Sequence, residues 1–164
     1  SYTGGPFPLA YLGLGEIFVI LFFGLVAVTT LFYLHTGFWS FSAGLLGLQI
    51  GLHATVLIAI NNFRDRKTDL LAQKNTLSVR WGEAFSKWEI AILCVAPFIL
   101  NLYWLKYSAY WAVGLSSLTL PLAFLISKNI FTHSPSPIFN KFLGQSALLH
   151  LLFGVLLSVG FYLQ

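Results

Sequence analysis

Five apolar runs, each about twenty residues long, leave this chain little choice of solvent. They cover 16–34, 40–60, 88–105, 108–127 and 143–163. At ~1.5 Å per residue, a helix of that length crosses a hydrocarbon core of ~30 Å. Within lipid only helices and closed barrels satisfy their own backbone, and none of these runs alternates as a barrel strand does. The expected fold is therefore all-α and integral to a membrane, one domain over 1–164 with five transmembrane helices. Charge agrees, since only 9% of the 164 residues are Asp, Glu, Lys or Arg, against ~25% in a soluble domain. A net charge of +4 would also suit nucleic acid, but the cations are not spread over a soluble face. The lipid bilayer is the expected partner, and nucleic acid is not. Pro97 predicts a kink in the third run, and Pro121 lies near the end of the fourth. The lone Cys94 sits in an apolar run and predicts a lipid- or core-facing thiol.

Five spans place the two long connections, 61–87 and 128–142, on one side. Those connections hold eight of the nine basic residues, and Lys106 alone lies on the other side. The positive-inside rule then makes 61–87 a cytoplasmic loop, with 1–15 on the same side and the carboxy terminus opposite. Ala43, Gly47 and Gly51 recur every four residues in the second span, and Gly154 and Ser158 repeat the spacing in the last. Small residues at that spacing predict close helix approach rather than chemistry.

The segment NNFRDRKTDLLAQKNTL, 61–77, gathers two of the five acids and four of the nine basic residues. Asn61, Asp65 and Asp69 are spaced i, i+4, i+8, which on a helix drifts only ~80° and keeps all three on one face. Hard oxygen donors at the mouth of a membrane pocket suit Mg²⁺, an ion content with one or two carboxylates plus waters and phosphates. Arg64, Arg66, Lys67 and Lys74 stand beside them, and cations complement carboxylates where the ligand is a metal–phosphate complex. From spacing alone a second reading stands equally, a solvated loop whose charges make weak surface pairs. Elsewhere Gln49 and His53 lie one turn apart inside a span, where either a functional role or helix–helix hydrogen bonding fits. Gln145 and His150 pose the same question with less force, and His133 lies in a polar Pro-containing loop. Glu16, at the start of the first span, is expected to cap that helix.

The same residues carry a resemblance. NNFRDRKTD followed by KNTLSVRWG resembles the second aspartate-rich motif of the UbiA superfamily of intramembrane prenyltransferases. YTGGPFPLAYLGLGE at 2–16, TLPLAF at 119–124 and the last helix also look like its 1,4-dihydroxy-2-naphthoate prenyltransferase branch. Two positions depart from that pattern, Gln73 where Gly is usual and Asn75 where Arg is usual.

The resemblance implies a nine-helix bundle around a central cavity, of which this chain supplies the last five helices. The partner it then needs is the preceding half of the same fold, bearing the first aspartate-rich motif. The chain contains no Met and begins at Ser1, in keeping either with a removed initiator or with a piece of something longer; by the resemblance, the chain by itself is expected to be inactive. The implied reaction transfers a polyprenyl or phytyl group from its diphosphate to 1,4-dihydroxy-2-naphthoate, with loss of CO₂ and diphosphate, in menaquinone or phylloquinone synthesis. Asp65 and Asp69, with Asn61, would bind Mg²⁺, and Asn62 would support the site. Arg64 and Lys74 would contact diphosphate, with Arg66, Lys67 and Arg80 as further contacts. Tyr2 and Thr3 would line the pocket. The family pattern also carries an acid near the position of Glu16, so a place in the pocket is the alternative to a helix cap for that residue. The implied location is a bacterial plasma membrane, or a cyanobacterial or plastid one. The alternatives are a non-catalytic half-length subunit of a larger complex, another aromatic acceptor, or, against the motif, a transporter of anions.

Overall fold

The computed structural model describes residues 13–164, which form helices joined by short turns. Five helices are long and apolar enough to span a membrane: α1 (Gly15–Thr36), α2 (Phe41–Arg64), α4 (Leu77–Leu105), α5 (Tyr110–Thr132) and α6 (Phe139–Tyr162). A short helix, α3 (Arg66–Leu71), joins α2 to α4. The protein is all-α and membrane-embedded, as the apolar runs require.

The helices outrun the apolar stretches. The segment 61–87, expected as a loop, is helical except around Asp65 and over 72–76. Backbone hydrogen bonding continues past the last lipid-facing residue wherever no Gly or Pro stops it, so hydropathy marks the membrane and not the helix end. Pro121 lies in the first turn of the second half of α5, Leu120–Thr132, where a missing N–H costs nothing. Pro97 sits inside α4.

Helix α2 is the hub. Half of its apolar window is buried (50%), and it packs against α1, α4 and α6. The first half of α5 lies on α6 and its second half on α4. The α1–α2 seam uses the small residues of α2. A Cβ on Gly24 would collide with the carbonyl of Gly47 and the Cα of Gly51, so the two backbones touch. This contact falls in a π-helical stretch of α1, Ile20–Val26. The small pair expected on α6 behaves differently. Gly154 meets only the Ile50 side chain, and the exposed Ser158 hydroxyl donates back to the Gly154 carbonyl at 2.8 Å. The close backbone approach occurs instead at Gly160, against Ala112 of α5.

One core cluster joins Phe63, Ile90, Ile126 and Phe139, and a second, toward the other end, joins Trp104, Ala112, Phe153 and Leu157. Between α2, α4 and α5 runs a closed polar network. Gln49 Nε2 donates to the Pro97 carbonyl (2.8 Å) and to Asn101 Oδ1 (2.9 Å). Its Oε1 accepts from Trp104 Nε1 at 3.0 Å, and Asn101 Nδ2 donates to Ser116 Oγ at 2.9 Å. Gln49 is thus helix-to-helix glue, the second of the two readings open for it. His53 is fully buried, with Nε2 3.2 Å from the Cys94 carbonyl, and Cys94 is a core residue.

Candidate functional site

The last turn of α2 presents Asn61, Asn62 and Arg64, and the helix then breaks at Asp65 (φ −92°, ψ 6°) before resuming as α3. Register survives the break. Asp65 N–H donates to the Asn61 carbonyl (2.9 Å) and Asp69 N–H to the Asp65 carbonyl (2.8 Å). Asn61, Asp65 and Asp69 therefore keep the one-turn spacing that the sequence suggests, on two helical pieces rather than one.

Each carboxylate has a cation of its own. Arg64 holds Asp65 in a fork, Nε to Oδ1 and Nη2 to Oδ2, both 2.7 Å. The same guanidinium donates to Asn61 Oδ1 at 2.7 Å and to Asn140 Oδ1. The Arg64 hydrogen bonds hold the Asp65 carboxyl below the usual carboxylate range. Asp69 is buried, and Lys74 Nζ stands 3.2 Å from its Oδ1. The Lys74 N–H also donates to the Asp69 carbonyl at 2.9 Å, folding the turn after α3 back on itself.

That turn explains the departure at position 73. Gln73 adopts φ 56°, left-handed backbone in which glycine costs nothing and glutamine is strained. At Asn75, the other departure, the carbonyl packs against Gly13, leaving no space for a Cβ there. Gly13, itself at φ +67°, thus sits directly on the motif, with the Arg80 guanidinium alongside. Thr76 caps α4, accepting from Val79 N–H at 3.4 Å. Gly82 interrupts α4 at φ 85°, ψ −175°, a conformation open to glycine alone, with the Arg66 guanidinium near its α-carbon. Lys67 is exposed. Tyr2 and Thr3 lie outside the described residues.

Sequence reasoning missed two contributions to the site. An open cleft of about 450 Å³ is lined by Arg64, Asp65, Pro135, Ser136, Pro137 and Asn140. The Pro-containing loop before α6 is thus a wall of the site, and Asn140 is its hydrogen-bonded corner. The one available signal was a lone Asn at the start of an apolar span. His133, at the end of α5, is tethered by a 2.9 Å contact from Nδ1 to the Asn129 carbonyl. Glu16 makes the second; the sequence offered it as a helix cap or a pocket residue but not with this partner. It lies in the first turn of α1, makes no capping hydrogen bond among the described residues, and its carboxylate accepts from Asn62 Nδ2 at 2.6 Å.

A metal finds hard oxygen donors here in Asp65, Asp69 and the Asn61 amide. Among the described residues no group of three His, Cys, Asp or Glu side chains gathers for a metal. Two carboxylates cannot close a protein cage, but they fit Mg²⁺, which keeps waters and takes substrate phosphates.

Comparison with known proteins places the chain in a family. The profile of the UbiA prenyltransferase family matches residues 1–153. A 1,4-dihydroxy-2-naphthoate octaprenyltransferase of Haemophilus influenzae is 34% identical over 98% of this chain and 52% of its own length. A 2-carboxy-1,4-naphthoquinone phytyltransferase of Synechocystis is 26% identical over 98% of the chain and 53% of its own length. The UbiA prenyltransferase domain-containing protein 1 of Gallus gallus is 29% identical over 99% of the chain and 47% of its own length. The chain spans about half the length of the curated relatives it matches.

Proposed function

The chain belongs to the UbiA prenyltransferase family, and from that premise we propose that it supplies the second aspartate-rich half of a quinone-pathway prenyltransferase. The reaction is transfer of a polyprenyl or phytyl group from its diphosphate to 1,4-dihydroxy-2-naphthoate, releasing diphosphate and CO₂. The preceding half of the same fold would complete the site. The observation that carries the reading is the pairing of two carboxylates, Asp65 and Asp69, with two cations, Arg64 and Lys74, at one end of five membrane-spanning helices.

Asp65 and Asp69, with Asn61, would hold Mg²⁺. Bound there, the ion would offset the negative charge that builds on the departing diphosphate. Arg64 and Lys74 already lie beside the carboxylates, so they can turn from carboxylate to phosphate oxygens with small side-chain movements. Arg66, Lys67 and Arg80 would widen that field. Asn140 and Asn61 hold the Arg64 fork in orientation. Tyr2 and Thr3 would line the pocket, as the family resemblance implies. The apolar helices would shelter the prenyl chain from water, and the motif would face the cytoplasm of a bacterial, cyanobacterial or plastid membrane.

The test is transfer activity of the full-length protein carrying this chain, with octaprenyl or phytyl diphosphate and dihydroxynaphthoate. Asp65→Asn and Asp69→Asn should each lower kcat on the order of 10²-fold or more, the scale of losing a transition-state charge partner. Prenylation that proceeds unchanged in both variants would remove the role given to this motif. Transfer to 4-hydroxybenzoate in preference to dihydroxynaphthoate would reassign the acceptor.

A further inference from the structure

Glu16 is the buried polar group the proposed chemistry leaves unused. It is only 4% exposed, yet its Oε2 has no hydrogen-bond partner among the described residues. Its other oxygen is occupied by Asn62, the residue next to Asn61 at the end of α2. Glu16 therefore joins the start of α1 directly to the motif at the end of α2. Buried polar atoms in folded proteins are almost always satisfied, and an orphaned carboxylate oxygen is among the most expensive to leave bare. The same end of the bundle buries a second orphan, Ser78 Oγ, two residues into the helix that Thr76 caps.

Resting on the prenyltransferase reading, we propose that Glu16 is an acceptor-binding residue, its free carboxylate oxygen taking the hydrogen bond of a hydroxyl on the aromatic acceptor. A carboxylate only accepts, so the ligand edge it faces must donate. A ring hydroxyl donates, whereas a prenyl chain and a diphosphate do not, so the site selects the acceptor over the other substrate. An acceptor that carries its own carboxylate would be repelled by Glu16 and drawn to the cations of the motif, so it enters with its hydroxyl edge toward Glu16. Asn62, fixed by the opposite lobe, prevents the Glu16 side chain from rotating away.

Glu16→Gln separates binding from scaffolding. The amide oxygen can keep the Asn62 hydrogen bond, while the free lobe becomes a donor facing a donor. In the full-length protein, this variant should raise KM for dihydroxynaphthoate about tenfold or more, the scale of a lost hydrogen bond to a charged group. KM for the prenyl diphosphate should not change. Thermal stability in detergent should be unchanged or higher, because an unpaired buried carboxylate is gone. Glu16→Leu, which removes both lobes, should show the same acceptor defect. An unaltered acceptor KM in both variants overturns the inference, as does a loss of stability that raises both KM values together. Wild-type protein that transfers no prenyl group to any hydroxylated aromatic ring overturns the parent reading and this inference with it, whereas active wild type with an indifferent Glu16 overturns this inference alone.

Discussion

Arg64 and Asp65 are neighbours in sequence that bind each other's side chains, and each sets the state of the other. Because the folded carboxyl titrates below its ordinary value, the pair stabilises the folded protein above the unfolded carboxylate pKa of ~3.9. That contribution is lost as pH falls through the depressed folded value. The side chains are 24% and 34% exposed, so solvent screens much of it. In Arg64→Leu the Asp65 carboxyl should titrate back toward ~3.9, followed by the carboxyl carbon resonance in labelled protein; an unmoved titration would mean that another group sets its charge. Gln73 offers a cleaner test. Its left-handed backbone costs roughly 1 kcal/mol that glycine would not incur, so Gln73→Gly should raise thermal stability by about that amount. A lower melting temperature would mean that the Gln73 side chain contributes more than its backbone costs. The sequence names position 73 as a departure from the family pattern. The reason is a dihedral angle, and a dihedral depends on how Lys74 folds back onto Asp69, a contact that no local pattern encodes.

Helices tell the same story one level up. The five spans were legible because lipid leaves a chain few alternatives, and Gly47 and Gly51 announced the close side of α2. Their partner, Gly24, was not legible. One glycine in an apolar run has no periodicity, and its role depends on the π-helical stretch that turns it toward α2. Gly24→Leu should force the two backbones apart and cost about 1–3 kcal/mol, the range for overpacking a close contact. A melting temperature equal to wild type would show that α1 is free to retreat. The motif loop was misjudged for a related reason. Polar residues signal an exit from lipid, but Asn61, Asn62 and Arg64 are still helical, and the interruptions are Asp65, the turn over 72–76 and Gly82. Gly82→Ala should destabilise the start of α4, since its φ of 85° with extended ψ excludes a side chain. Faster proteolysis after Arg80 is the expected sign.

As a whole molecule, the chain is an unevenly buried bundle. The apolar window of α1 is only 6% buried against 50% for α2, because α1 packs on α2 alone among the long helices. Large apolar side chains such as Phe23, Leu34 and Leu31 remain exposed, a surface suited to lipid. The site follows the same pattern. Asp65, Asp69, Arg64 and Lys74 were legible from charge concentration and spacing, and the structure pairs them. Asn140, the Pro135–Pro137 wall and the Asn62 partner of Glu16 were not, because each reaches the motif only through packing of α1 and α6 onto α2. The central claim is that this charged end grips a metal–diphosphate complex. Its most direct test is binding of a non-hydrolysable prenyl thiodiphosphate to the full-length protein, titrated with Mg²⁺ and after chelation. Tight binding with Mg²⁺ is expected, with loss of it on chelation and equal loss in Asp65→Asn and Asp69→Asn. Binding that survives chelation and both substitutions would contradict it.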